Sequence, residues 1–274
     1  MKYILTIAGS DSSGGAGIQA DIKTVTSLGA HAVSVITAVT AQNSLGISAV
    51  HRIPVQFITL QMDTLLDDLR PDAVKIGMLY SEGAVVEVAR LIRTYRLRNV
   101  VLDPLIRASA GGILLEQGAI AALRDVLLPA VSVATPNLEE AALLSGVKVE
   151  GPSGMAEAAK RIKAMGPAVV VTGGHLEGEC MDLLYDGNEF CRFSAPRIDT
   201  SHTHGSGCVF STSLAVFLAQ EEDMTKATAL AHEFTRRAIK HGYPSGRGRG
   251  SVRADWRSVE MHQEIDPLKG VLKR

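Results

Sequence analysis

The sequence has no unbroken apolar run near the ~20 residues a membrane-spanning helix needs. Yet 46% of its 274 residues are hydrophobic, so that content is expected in a buried core. It has only three cysteines, Cys180, Cys191 and Cys208. None form a CxxC pair or a zinc spacing, which excludes a cysteine-held metal. With no secretory signal, a reduced, cytoplasmic setting is expected. A long basic block is missing too: the formal net charge is −1, and the one dense basic spot is "GRGRG" (Gly246–Gly250). A nucleic-acid partner and a membrane are therefore not expected. There is no linker, repeat or low-complexity segment. We expect a single domain over 1–274, with a polar, loosely packed tail from about 251 to 274. Cys180 and Cys191 flank a hairpin and read as half-buried strand residues.

What is present is an alternation of strand and helix patterns. "YILTIAG" and "HAVSVITAV" read as buried strands around a helix, "GIQADIKTVTSLG", that stops at Gly29. Helical spacing recurs in Pro54–Leu69, Ser81–Tyr95 (with Ser81 as cap), Gly118–Leu128, Pro136–Gly146, Gly154–Gly166, Val209–Gln220 and Thr225–His241. Short apolar strands lie between most of them. A hairpin over Met181–Ser194 turns on Asp-Gly-Asn. The order implies an α/β fold: a mainly parallel central sheet, helices on both faces, an antiparallel hairpin at one edge.

In such sheets ligands sit beyond the carboxyl ends of the strands, and four loops there are unusual. "AGSDSSGGAGIQAD" lets backbone approach a ligand, although it is neither a Walker loop nor GxGxxG. Its Asp21 either turns toward the site or favours the helix dipole. "TAVTAQNS" places Gln42 and Asn43 directly after a strand, where amides offer a heterocycle both donor and acceptor; an ordinary polar turn is the plainer reading. Asp103 ends a buried strand, and Asn137 and Glu140 share one face of a helix start. Together they suit a hydrated Mg²⁺, which takes few protein oxygens; singly, Asn137 reads as a cap and Glu140 as a dipole partner. "SHTHGSGC" puts Gly205, Ser206 and Gly207 ahead of a helix, an anion cradle. Cys208, in the first helical turn, is expected to have a lowered thiol pKa, or to be a small side chain packed under the loop.

The stretches "IAGSDSSGGAGIQADIKT", "TAVTAQNS", "KIGMLYS", "VLDPLIRASAGGILL", "TPNLEEAALLSG", "VVVTGGHLEG" and "THGSGC" together resemble the ribokinase superfamily. Within it they resemble the hydroxymethylpyrimidine kinase / hydroxymethylpyrimidine phosphate kinase family of thiamin biosynthesis. The resemblance implies a ribokinase-like fold and ATP with Mg²⁺ as phosphoryl donor. It implies 4-amino-5-hydroxymethyl-2-methylpyrimidine (HMP) and its monophosphate as small-molecule acceptors, and a homodimer. It assigns the pyrimidine to Gly9, Asp21, Gln42, Met78 and Leu105, and the nucleotide to Asp103, Arg107, Asn137 and Thr172. Asp103 and Glu140 would hold the metal. Gly205, Ser206 and Gly207 would form the anion hole, and Cys208 stands where many relatives carry an aspartate base. Three family lysines are replaced, by Ala108, Thr172 and Ser201. Those losses weaken charge neutralisation, at the acceptor phosphate more than at the pyrimidine; Arg107 is the expected compensation, and its loop to Gly112 the expected lid. A pyridoxal kinase and a non-catalytic pyrimidine-binding regulator are the rival readings.

Overall fold

The computed structural model describes residues 1–107, 112–174 and 180–258. Nine strands form one sheet: β1 (Tyr3–Asp11), β2 (His31–Asn43), β3 (Gly46–Arg52), β4 (Ala73–Ile76), β5 (Val100–Leu102), β6 (Val133–Ala134), β7 (Ala168–Val171), β8 (Cys180–Tyr185) and β9 (Phe190–Ala195). Their order is β3-β2-β1-β4-β5-β6-β7-β8-β9. From β2 to β7 every pairing is parallel; β3 and the β8–β9 pair add antiparallel edges. The expected α/β architecture and hairpin are present. The hairpin turn is closed by Asp186, whose carboxylate accepts from the Asn188 and Glu189 amides. Cys180 and Cys191 are half-buried on it.

The helices are α1 (Gly17–Ser27), α2 (Val55–Asp68), α3 (Glu82–Tyr95), α4 (Ala119–Ala122), α5 (Leu138–Ser145), α6 (Gly151–Lys163), α7 (Ser206–Ala219) and α8 (Met224–Lys240). Strand alternation sends successive side chains to opposite faces. Leu5, Ile7, Val74 and Ile76 pack under α2–α6. Ile4, Ala73, Val101 and Val133 pack under α1, α7 and α8. α7 is buried along nearly its whole length, which is why its sequence is apolar on every side.

The structure corrects four expectations. The Gly118–Leu128 helix is broken: after α4 it passes through a π turn, Leu123–Leu127, and a 3₁₀ turn, Leu128–Ala130, because Pro129 supplies no amide hydrogen to continue the ladder. β2 extends through Gln42 and Asn43 and pairs with β3, an unforeseen strand. α7 starts at Ser206, so Cys208 is its third residue. The chain after Gly250 is not loose at first: Ser251, Val252, Ala254 and Trp256 are buried. Among the described residues no helix is long and apolar enough to cross a membrane.

Candidate active site

The same alternation builds the site. One step beyond Ile4, Ala73, Val101 and Val133 come Thr6, Lys75, Asp103 and Thr135, all buried. Four neighbouring strands thus aim polar groups at the start of α7. A cleft of about 480 Å³ opens there, at the carboxyl ends of the strands. Every site residue expected from the sequence lines it except Asp21. A more open hollow of about 710 Å³, between His51–Val55 and Ser81–Gly83, is lined by none of them.

The cradle is set by backbone conformation. Gly205 has φ +86°, in the left-handed region, and no side chain caps α7. The Ser206 amide donates to the Thr203 carbonyl at 3.2 Å, so the amides of Gly207 and Cys208 are the ones that face the cleft, with the positive end of the helix dipole. A Cβ on Gly205 would overlap the Gly15 carbonyl oxygen, whereas one on Gly207 would meet only Asp103 Oδ2, at 3.8 Å. The two glycines therefore predict different variants. Gly205→Ala should lower the melting temperature. Gly207→Ala should fold normally but weaken phosphate binding about tenfold or more by placing a methyl in the cradle. A thermal melt beside a nucleotide titration separates them, and normal nucleotide binding by Gly207→Ala would remove Gly207 from the cradle.

Asp11 locks the cradle to the β1–α1 loop. It accepts from His204 Nε2 at 3.0 Å, from the Ser13 amide and hydroxyl, and from the Ala16 amide. Burial raises its pKa, but these donors, His204 first, outweigh burial and hold it down at about 2.

Cys208 is buried, as the reading of a small side chain packed under the loop expects, and the alternative of a lowered thiol pKa is reversed. Burial pushes the pKa up to about 12; Lys75 opposes this, Asp103 and Asp21 add to it, and the Gly17 amide offers its sulfur a hydrogen bond. Desolvation by the packed α7 outweighs the helix N-terminus. Lys75, unremarked in the sequence, is fully buried and bonds both oxygens of Asp21 at 2.9 Å. Burial alone would lower its pKa, but the charges of Asp21, Cys208 and Asp103 raise it overall. Asp21 also accepts from the hydroxyls of Thr6, at 2.5 Å, and Thr212, at 2.8 Å. It has no exposed surface. The expectation that Asp21 turns toward a ligand is corrected: its oxygens are used in holding Lys75 beneath the site.

Asp103 accepts from the Ser211 hydroxyl at 3.1 Å. Asn137 and Glu140 form a reciprocal capping box at α5, each accepting the other's amide at 3.0 Å. The capping reading of Asn137 is therefore realised, with Glu140 completing the box, and both residues still line the cleft. Burial pushes Asp103 up to about 6 against the pull of Lys75. Burial, then the like charge of Asp103, pushes Glu140 up to about 8. Two buried carboxylates that disfavour each other's ionisation fit a divalent cation, which would neutralise both. Among the described residues no cluster of three or more metal-ligating side chains occurs; Mg²⁺ does not require one when phosphate and water complete its shell.

The opposite wall is largely apolar. A Cβ on Gly9 would press on Met78 Sδ, at 2.9 Å, so Gly9 and Met78 are in close contact. Ala38, Met78 and Leu114, with Leu105 packed against them, make an apolar floor. The Gln42 backbone exchanges hydrogen bonds with Ser12 Oγ, and its side-chain oxygen accepts from Thr40 Oγ1 at 3.2 Å. Arg107 is exposed at the rim. Thr172 bridges Asn137. The rest of the expected lid, including Ala108, and the "HLEG" stretch lie outside the described residues. Sequence reasoning also missed the pair His232 Nδ1–Asp182 Oδ2, 2.8 Å apart on the cleft wall.

Residues 11–253 match the family model described as phosphomethylpyrimidine kinase. The hydroxymethylpyrimidine/phosphomethylpyrimidine kinase of Streptomyces coelicolor is 44% identical over 254 residues, 92% of this chain and 94% of that protein. The thiamine biosynthesis bifunctional protein of Geobacter sulfurreducens is 44% identical over 251 residues, 91% of this chain; the chain spans 51% of that protein's length. A Bacillus subtilis pyridoxal kinase, solved as an ADP complex, has a TM-score of 0.87 at 38% identity, covering 94% of this chain and 99% of that one. The match runs from the β1–α1 loop to beyond the cradle, the two segments that Asp11 and His204 tie together, and on that breadth the chain belongs to the phosphomethylpyrimidine kinase family.

Proposed function

We propose that this protein transfers the γ-phosphoryl group of ATP to the hydroxymethyl oxygen of HMP, and then a second phosphoryl group to HMP phosphate. One observation carries the reading: an apolar wall edged by the Gln42 amide faces a helix N-terminus with no side-chain cap across one cleft. Gly9, Met78, Leu105 and Gln42 hold the pyrimidine. The amides of Gly207 and Cys208 stabilise charge on the transferring group, with the Ser206 hydroxyl beside them. Asp103 and Glu140 would hold Mg²⁺, which supplies charge neutralisation to the phosphates; Asn137, Thr172 and Arg107 line the nucleotide side. Little covalent work falls to the protein, so positioning and electrostatics dominate.

The raised thiol of Cys208 favours an orienting role. The thiol stays protonated at neutral pH, and its sulfur accepts a hydrogen bond from the acceptor hydroxyl. The proton leaves late, onto the product phosphate. Cys208→Ala should lower kcat on the order of 10²-fold and leave the KM for HMP within about threefold. Unchanged turnover would remove Cys208 from the chemistry. Phosphorus NMR of the product formed from HMP and Mg-ATP should show a diphosphate ester; a product stopping at the monophosphate would refute the second step.

Pyridoxal kinase is the second reading, favoured by the likeness to the Bacillus subtilis enzyme. The HMP reading is preferred because the family model and the 44%-identical Streptomyces relative carry that name. A cytoplasmic homodimer is part of this proposal; Phe57 and Leu60, exposed and three residues apart on α2, offer apolar surface to a second copy.

A further inference from the structure

The "GRGRG" stretch is built into the cleft. The loop from Tyr243 to Ser251 is closed at its base by two hydrogen bonds of 3.0 Å between those residues, with Ser251 also bridging His204. At its tip the Gly248 amide donates to Ser44 Oγ at 3.0 Å. Ser44 stands at the end of the β2–β3 hairpin, two residues after Gln42. The glycines are required by close approach: a Cβ on Gly248 would overlap the Ser44 backbone, and one on Gly250 would overlap the His202 ring and the Tyr243 carbonyl. Arg249 is thereby fixed between two jammed positions, one on the acceptor hairpin and one beside the cradle segment.

Both loop arginines are exposed, but Arg249 lines the cleft and Arg247 does not. No ion pair among the described residues engages Arg249. Of the other cations lining the cleft, Lys75 is tied to Asp21, Arg236 pairs with Glu233, Arg197 donates to the Gly174 carbonyl, and Arg107 stands at the rim. Thr172 and Ser201 offer no charge where the family resemblance leads one to expect lysine. A guanidinium without a carboxylate partner, held between an aminopyrimidine wall and an anion cradle, suits a phosphate monoester carried by the acceptor.

We propose that Arg249 binds the phosphate of the phosphorylated acceptor and so determines whether the second transfer proceeds. This rests on the proposed function and adds a specificity residue to it. The test compares initial rates with HMP and with HMP phosphate in wild type, Arg249→Ala, Arg249→Lys and Arg247→Ala. Arg249→Ala should raise the KM for HMP phosphate about tenfold or more, and leave the KM and kcat for HMP and the KM for ATP within about threefold. Arg249→Lys should recover part of the loss, and Arg247→Ala should match wild type. Equal losses with both acceptors, a loss confined to ATP, an equal effect of Arg247→Ala, or no change in Arg249→Ala would each overturn the assignment. A wild-type protein that turns over neither pyrimidine would overturn the proposed function itself, and this inference with it.

Discussion

Lys75→Met should cost about 3–5 kcal/mol of folding stability, the usual penalty for stranding one member of a buried ion pair. Asp21 has no route to water: it is fully buried, and its remaining partners are the Thr6 and Thr212 hydroxyls. Against a typical total of about 5–15 kcal/mol, that loss would be plain in a denaturant melt. The double variant Lys75→Met/Asp21→Leu should recover part of it, since an apolar pair of similar volume replaces the charges while the Thr6 and Thr212 hydroxyls lose their acceptor. Activity should not return with stability. Lys75 is the cation that opposes the upward shift of both Cys208 and Asp103, so a folded double variant should still turn over at least about tenfold more slowly. A Lys75→Met protein as stable as wild type would contradict the pairing. A double variant with full activity would confine Lys75 to a structural role.

Stability of the ligand-free protein should fall as pH rises through the neutral range, and Asp103→Asn should flatten that slope. Asp103 moves from an ordinary 3.8 to about 6 and Glu140 from 4.5 to about 8 on folding. Between the unfolded and folded values the folded chain keeps protons that the unfolded chain releases, so stability decreases with rising pH. The loss begins near pH 4 and is complete above about pH 8, where the ionised carboxylates repel each other. Melting should drop by about 5 °C or more across that window. Mg²⁺ binds the ionised forms and should restore stability most at the alkaline end. Asp103→Asn keeps an acceptor for Ser211, relieves Glu140 of its like-charged neighbour, and should lose Mg-dependent turnover on the order of 10²-fold. A slope of opposite sign, or an Asp103→Asn protein with the wild-type slope and full turnover, would contradict the paired-carboxylate account.

Much of this was legible in the sequence, because patterning and glycine placement are local signals. Strand–helix alternation gave the sheet, and glycine beside a helix start gave the cradle. What escaped was set by distance or by burial. β3 is mostly exposed along an edge, and its apolar residues, Ile47, Ala49 and Val50, do not keep a strict alternation. Asp11 and His204 meet across 193 residues. The direction of Asp21 was recoverable: with Ile18 and Val25 it lies on the buried stripe of α1, and a lysine inside the otherwise apolar "AVKI" marked its partner. The thiol of Cys208 was misjudged because helix position is read locally, whereas desolvation depends on everything packed around the residue.

Phosphoryl transfer to an aminopyrimidine alcohol is tested by ADP release from Mg-ATP with HMP, HMP phosphate and pyridoxal in parallel. HMP and HMP phosphate should each release ADP, at higher kcat/KM than pyridoxal. Faster turnover of pyridoxal, or HMP binding without ADP formation, would contradict it.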